Sequence, residues 1–106
     1  MTDILIIDDE RDIRELISEI LIDEGYTTRL AGTSDAAMRS IADERPAMLI
    51  LDIWLKDSAM DGIDILKSVK SNYPDIPVVI ISGHGNIEIA VAAIKQGAFD
   101  FIEKPF

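Results

Sequence analysis

The stretch Met48-Leu49-Ile50-Leu51-Asp52 decides the fold: four apolar residues ended by a carboxylate. With Arg45-Pro46 just upstream, so short an apolar run predicts a buried strand of a parallel sheet, because a strand covered on both faces has no polar alternation. Asp52 marks where burial stops. Open α/β sheets hold ligands in the crevice outside the carboxyl ends of their strands, which makes Asp52 the candidate reactive centre. A lone Asp at a strand end is more commonly just solvated, and four other polar residues change that reading.

Upstream, Asp3-Ile4-Leu5-Ile6-Ile7 is a second such run, ended by Asp8-Asp9-Glu10. Ile13, Leu16, Ile17, Ile20 and Leu21 then recur with helical spacing up to a stop at Gly25. Tyr26 to Leu30 is β-prone but half polar, as an edge strand would be, and Thr33-Ser34-Asp35 offers caps for a second helix through Met38 and Ile41. Downstream of Asp52 a polar loop runs to Gly62, and Leu66, Val69 and Tyr73 predict a third helix ended by Pro74. Pro77-Val78-Val79-Ile80-Ile81 is a third apolar strand, stopping at Ser82-Gly83-His84-Gly85. Asn86 can cap a fourth helix with Ile87, Ala90, Val91 and Ile94 on one stripe and Gly97 at its end. Phe99 to Ile102, broken by Asp100, is the last strand, before Glu103-Lys104-Pro105-Phe106.

A βαβαβαβαβ pattern predicts a doubly wound parallel sheet. The three wholly apolar strands belong in its centre and the two mixed ones at its edges, which gives the order 2-1-3-4-5. Right-handed crossovers then put the first helix on one face and the other three on the opposite face.

At 106 residues the chain is one domain, with 48% hydrophobic and 28% charged residues. No apolar run approaches the roughly 20 residues of a membrane span, and the start does not resemble a signal peptide, so a cytoplasmic location is expected. Without cysteine and with the single His84, any metal must be held by oxygen. Twenty acidic against ten basic residues give a net charge of -10, which would repel a nucleic-acid backbone. Such a surface suits solubility, a divalent cation or a basic partner face.

In the order 2-1-3-4-5, Asp8, Asp9 and Asp52 converge at the switch point between the first and third strands. Ser82 and Lys104 end the fourth and fifth strands at the same rim. Three carboxylates so close are tolerable if a cation neutralises them, and an oxygen site with retained waters suits Mg²⁺. An ionised carboxylate, with a reference pKa of about 3.9, is already a nucleophile at neutral pH. Phosphoryl transfer fits, since its loose transition state asks mainly for positioning and charge stabilisation. Asp9 and Asp52 would hold Mg²⁺, and Lys104 and Ser82 would meet the other phosphoryl oxygens.

Ile6-Ile7-Asp8-Asp9-Glu10, Asp52, Ser82 and Lys104-Pro105-Phe106, at these separations, resemble the receiver domain of bacterial two-component response regulators along the whole chain. Leu51-Asp52-Ile53-Trp54-Leu55 and Ser82-Gly83-His84-Gly85-Asn86 resemble its NtrX subfamily of nitrogen-related regulators more closely. The resemblance implies a flavodoxin-like (CheY-like) fold, phosphorylation of Asp52 by the phosphohistidine of a sensor histidine kinase, and Mg²⁺ on Asp8, Asp9, Asp52 and the Trp54 carbonyl. It implies a switch through Ser82 and Phe101, and a domain that catalyses its own phosphorylation and dephosphorylation rather than acting as an enzyme on other substrates. The loop from Asp52 to Gly62 is two residues longer than the common family pattern and lacks its usual proline. Phe101 carries no hydroxyl, so a switch there would act by packing. NtrX-like proteins add an ATPase module and a DNA-binding helix-turn-helix, so residues 1–106 are expected to be the regulatory piece of a longer transcription regulator.

The competing reading is a docking or dimerisation module on the same fold that takes no phosphoryl group. A phosphatase of the haloacid-dehalogenase type would show D-x-D where Asp8-Asp9 are adjacent, and a nucleotide or flavin binder would not put Asp8-Asp9-Glu10 where phosphate must lie. Four helices follow where the family has five. The flank carrying apolar side chains of the first, fourth and fifth strands is therefore expected to lie open beside the first helix, and homodimerisation is expected, through that flank or by exchange of a terminal element.

Overall fold

Apolar runs form the strands and amphipathic stretches the helices in the computed structural model of the chain, which describes residues 3–53, 62–82 and 87–103. In order these are β1 (Asp3–Ile7), α1 (Arg11–Asp23), β2 (Thr27–Ala31), α2 (Ser34–Asp43), β3 (Met48–Asp52), α3 (Gly62–Asn72), β4 (Val78–Ser82), α4 (Ile87–Lys95) and β5 (Asp100–Glu103). Every pairing is parallel, in the order β2-β1-β3-β4-β5. Edge and centre fall as polarity predicts. The Thr33 hydroxyl accepts a hydrogen bond from the Ala36 N–H at 3.2 Å and so caps α2, while the Asn86 cap expected for α4 lies outside the described residues. No helix among the described residues is long and apolar enough to cross a membrane.

The sheet divides the core into two layers. Leu5, Leu49, Leu51 and Ile80 face α2, α3 and α4, joined by Ile41, Ile65, Leu66 and Val69. Ile4, Ile6, Ile50 and Ile81 face the other way, toward Ile17 of α1. On that second face Ile17, Ile20, Leu21, Ile50, Ile81 and Ile102 line an apolar trough of about 240 Å³. The trough thus includes the third strand, through Ile50, beside the expected fourth and fifth, while Ile4 and Ile6 of the first strand are buried in the same layer.

One expectation is corrected in α4. Of the expected stripe Ala90 is buried, together with Ala93, whereas Val91 and Ile94 are 49% and 45% exposed; the Ile87 side chain lies outside the described residues. Short alanine side chains let the helix lie close to the sheet, which turns the larger residues outward to line, with Phe101 and Asp100, an open surface depression. Helical spacing names a stripe but not the rotation that close packing selects.

Arg29 ties the edge strand down. Its guanidinium donates to Asp3 Oδ2 at 2.8 Å, to the Ser40 carbonyl and hydroxyl at 2.7 and 2.8 Å, and to the Glu44 carbonyl at 2.7 Å. With no basic residue in its own last turn, α2 takes from Arg29 both partners for its final carbonyls and charge for its dipole. Arg29→Ala is expected to cost about 2 kcal/mol, a value kept low because both members of the ion pair keep some access to solvent. Urea unfolding at unchanged slope checks it; a midpoint equal to that of the wild type would show that water replaces these bonds without loss.

Candidate functional site

Register decides which carboxylates meet. Ile7 lies opposite Leu51, so Asp8 and Asp52 follow side by side where β1 and β3 end, about one strand spacing of 4.8 Å apart in backbone. Both are buried, at 0% and 3% exposure.

Asp8 is held on three sides. Its N–H donates to the Ala31 carbonyl of β2 at 3.1 Å. Its own carbonyl accepts from Arg14 Nη1 of α1 at 2.7 Å, and its Oδ1 accepts from the Glu10 N–H at 2.8 Å. The last bond is an Asx turn, which bends the chain from strand to helix immediately after the buried acid. Asp9 is half-buried and Glu10 exposed, and one carboxylate oxygen from each of Asp8, Asp9 and Glu10 lies within 4.8 Å of the others. Glu10 enters this cluster through the turn, which no spacing rule shows.

The other wall is built where β3 hands over to α3. The Ile53 N–H donates to the Ile81 carbonyl at 3.0 Å, and the Gly62 N–H to the Ile53 carbonyl at 3.1 Å. A Cβ at Gly62 would lie 2.5 Å from the Cα and carbonyl oxygen of Ile53 and 2.6 Å from the Asp52 carbonyl oxygen. Position 62 therefore has room for glycine alone, and the start of α3 rests directly on the backbone that carries Asp52.

The donor set suits a small hard cation. It is all oxygen and rich in negative charge, the ligand chemistry that a hard divalent cation takes. Of the other residues singled out by sequence, Trp54 and Lys104 lie outside the described residues. Ser82 is the last residue of β4, level with Glu103, and its side chain lies outside the description. Phe101 stands opposite Ile80 and packs, half-buried, against the larger core layer rather than within reach of the acids by register.

Residues 4–106 match the family model described as response regulator receiver domain. The chain is 59% identical over 104 residues to the nitrogen assimilation regulatory protein NtrX of Azorhizobium caulinodans, covering 98% of this chain and 23% of that protein. The crystal structure of the receiver domain of NtrX from Brucella abortus superposes with a TM-score of 0.96 at 56% identity, covering 98% of this chain and 87% of that one. The beryllofluoride-activated NtrC4 receiver domain dimer, solved in solution, matches with a TM-score of 0.91 at 40% identity over 100% of this chain and 86% of that one. The chain spans under a quarter of the length of the curated NtrX relatives.

Proposed function

The chain belongs to the response regulator receiver domain family, and on that premise we propose that it is the phosphoacceptor of an NtrX-like response regulator, with Asp52 the residue phosphorylated. The observation that carries this reading is the buried pair Asp8 and Asp52, side by side at the carboxyl ends of two central strands. A carboxylate oxygen of Asp52 forms a bond to phosphorus as the bond from phosphorus to the donor imidazole nitrogen breaks. The electron pair leaves with the imidazole, so the chain gains one phosphoryl group and gives up no atom.

Asp8, Asp9 and Asp52, with the Trp54 carbonyl, are the residues we assign to Mg²⁺. When bound, the ion supplies positive charge against the phosphoryl oxygens. Lys104 and Ser82 are assigned to the remaining oxygens, and Ser82 and Phe101 to relaying the modified state toward α4 and β5. A sensor histidine kinase is the proposed donor, and output domains of a longer protein, for ATP hydrolysis and DNA binding, the proposed recipients of the signal. A second copy is proposed to cover the trough between α1 and the sheet, since each large apolar side chain left in water forfeits roughly 1.5 to 3 kcal/mol; the NtrC4 relative is itself a dimer. Light scattering that finds a monomer throughout the micromolar range would remove that partner.

Mg²⁺ is expected to bind near the millimolar range, because it keeps several waters and takes few protein ligands. Its titration is read by the fluorescence of Trp54, two positions beyond Asp52. Asp9→Ala is expected to weaken it on the order of tenfold. An unchanged titration would reduce the cluster to a surface feature, and a wild-type chain that takes no phosphoryl group from a phosphodonor with Mg²⁺ would leave only a docking module.

A further inference from the structure

Arg14 sits in the first turns of α1, half-buried, with its Nη1 2.7 Å from the Asp8 carbonyl oxygen. That carbonyl belongs to the peptide joining Asp8 to Asp9. Because the peptide is planar, fixing its oxygen also orients the Asp9 N–H and so restrains how the chain carries Asp9 out of the strand. Separate bonds hold the Asp8 N–H, to the Ala31 carbonyl, and its side chain, from the Glu10 N–H. The guanidinium reaches the carbonyl past Gly32, just after β2. A Cβ at Gly32 would lie 2.9 Å from Arg14 Nη1 and 3.4 Å from Cζ. Gly32 does not have a positive φ, so what a Cβ there would disturb is the seat of the Arg14 guanidinium.

We propose that Arg14, seated in the gap at Gly32, is a positioning residue that clamps the Asp8–Asp9 peptide and so sets the aim of the Asp9 carboxylate. The inference rests on the reading of Asp8 and Asp9 as cation ligands, and it is separable from plain electrostatics by sign. A guanidinium beside an acidic cluster repels a divalent cation, so if charge alone mattered, removing it would tighten binding. A clamp requires the opposite.

The test combines Mg²⁺ titration by Trp54 fluorescence with hydrogen exchange of the Glu10 amide in metal-free protein, on the wild type, Arg14→Ala and Gly32→Ala. Gly32→Ala changes no charge and displaces only the far end of a flexible side chain, so it keeps its fold. Arg14→Ala is expected to raise the Mg²⁺ Kd on the order of tenfold, and Gly32→Ala a few-fold in the same direction. The Glu10 amide, protected by its 2.8 Å bond to the Asp8 carboxylate, is expected to exchange faster in both. Binding that is unchanged or tighter in Arg14→Ala overturns the clamp. Should the wild type itself bind no Mg²⁺, the phosphoacceptor reading falls, and Glu10 exchange alone decides: equal protection in all three proteins overturns the clamp, faster exchange in both variants upholds it.

Discussion

Asp52→Asn, incubated with Mg²⁺ and a small-molecule phosphodonor, is expected to gain no acid-labile phosphoryl group under conditions in which the wild type takes up one. Asn keeps the size and shape of the side chain at a position only 3% exposed, so the layers of β3 and β1 stay packed. What it removes is the anionic oxygen that attacks phosphorus, and an amide offers no comparable nucleophile at neutral pH. Removing the nucleophile outright is among the largest effects a single substitution has on a reaction, on the order of 10³-fold or more. Intact mass spectrometry reads the uptake. Full labelling of Asp52→Asn at the wild-type rate would move the acceptor elsewhere.

Gly62→Ala is expected to be the most damaging exchange of a single hydrogen for a methyl group in the described site. The added Cβ would meet the backbone of Asp52 and Ile53 at 2.5 to 2.6 Å, where no flexible side-chain end can yield. Either α3 lifts, breaking the 3.1 Å bond from the Gly62 N–H to the Ile53 carbonyl and opening the layer around Ile65 and Leu66, or the end of β3 moves and carries Asp52 with it. Overpacking of this kind costs about 1 to 3 kcal/mol, and rigid backbone on both sides argues for the upper end. For a domain of this size that is a fall in melting temperature of roughly 10 °C. Mg²⁺ affinity is expected to fall with it, since the displaced backbone is the one that presents Asp52. A melting temperature within a degree or two of wild type would show that the contact relaxes without loss.

What could be read from the chain itself is whatever depends on near neighbours. The runs at Ile4–Ile7, Met48–Leu51 and Val78–Ile81 are apolar throughout because both faces of a central strand are covered. The polar admixture in Thr27–Ala31 and Asp100–Glu103 marks the edges for the same reason. From those two facts the strand order follows, and the order brings Asp8 beside Asp52. Tertiary structure alone decided what turns on distance and rotation. Spacing could not tell that α4 packs on Ala90 and Ala93 and leaves Val91 and Ile94 outside, because the depth of a helix over a sheet depends on the size of every side chain between them. Nor could it show that Glu10 joins Asp8 and Asp9, that Arg14 spans from α1 to the Asp8 carbonyl, or that Gly32 and Gly62 are there to let a guanidinium and a strand end come close. Each of these is a contact between segments distant along the chain or turned by a bend. Its physical cause, a sub-van-der-Waals gap or a carbonyl left over at a strand end, exists once the chain has folded and has no trace in residue order.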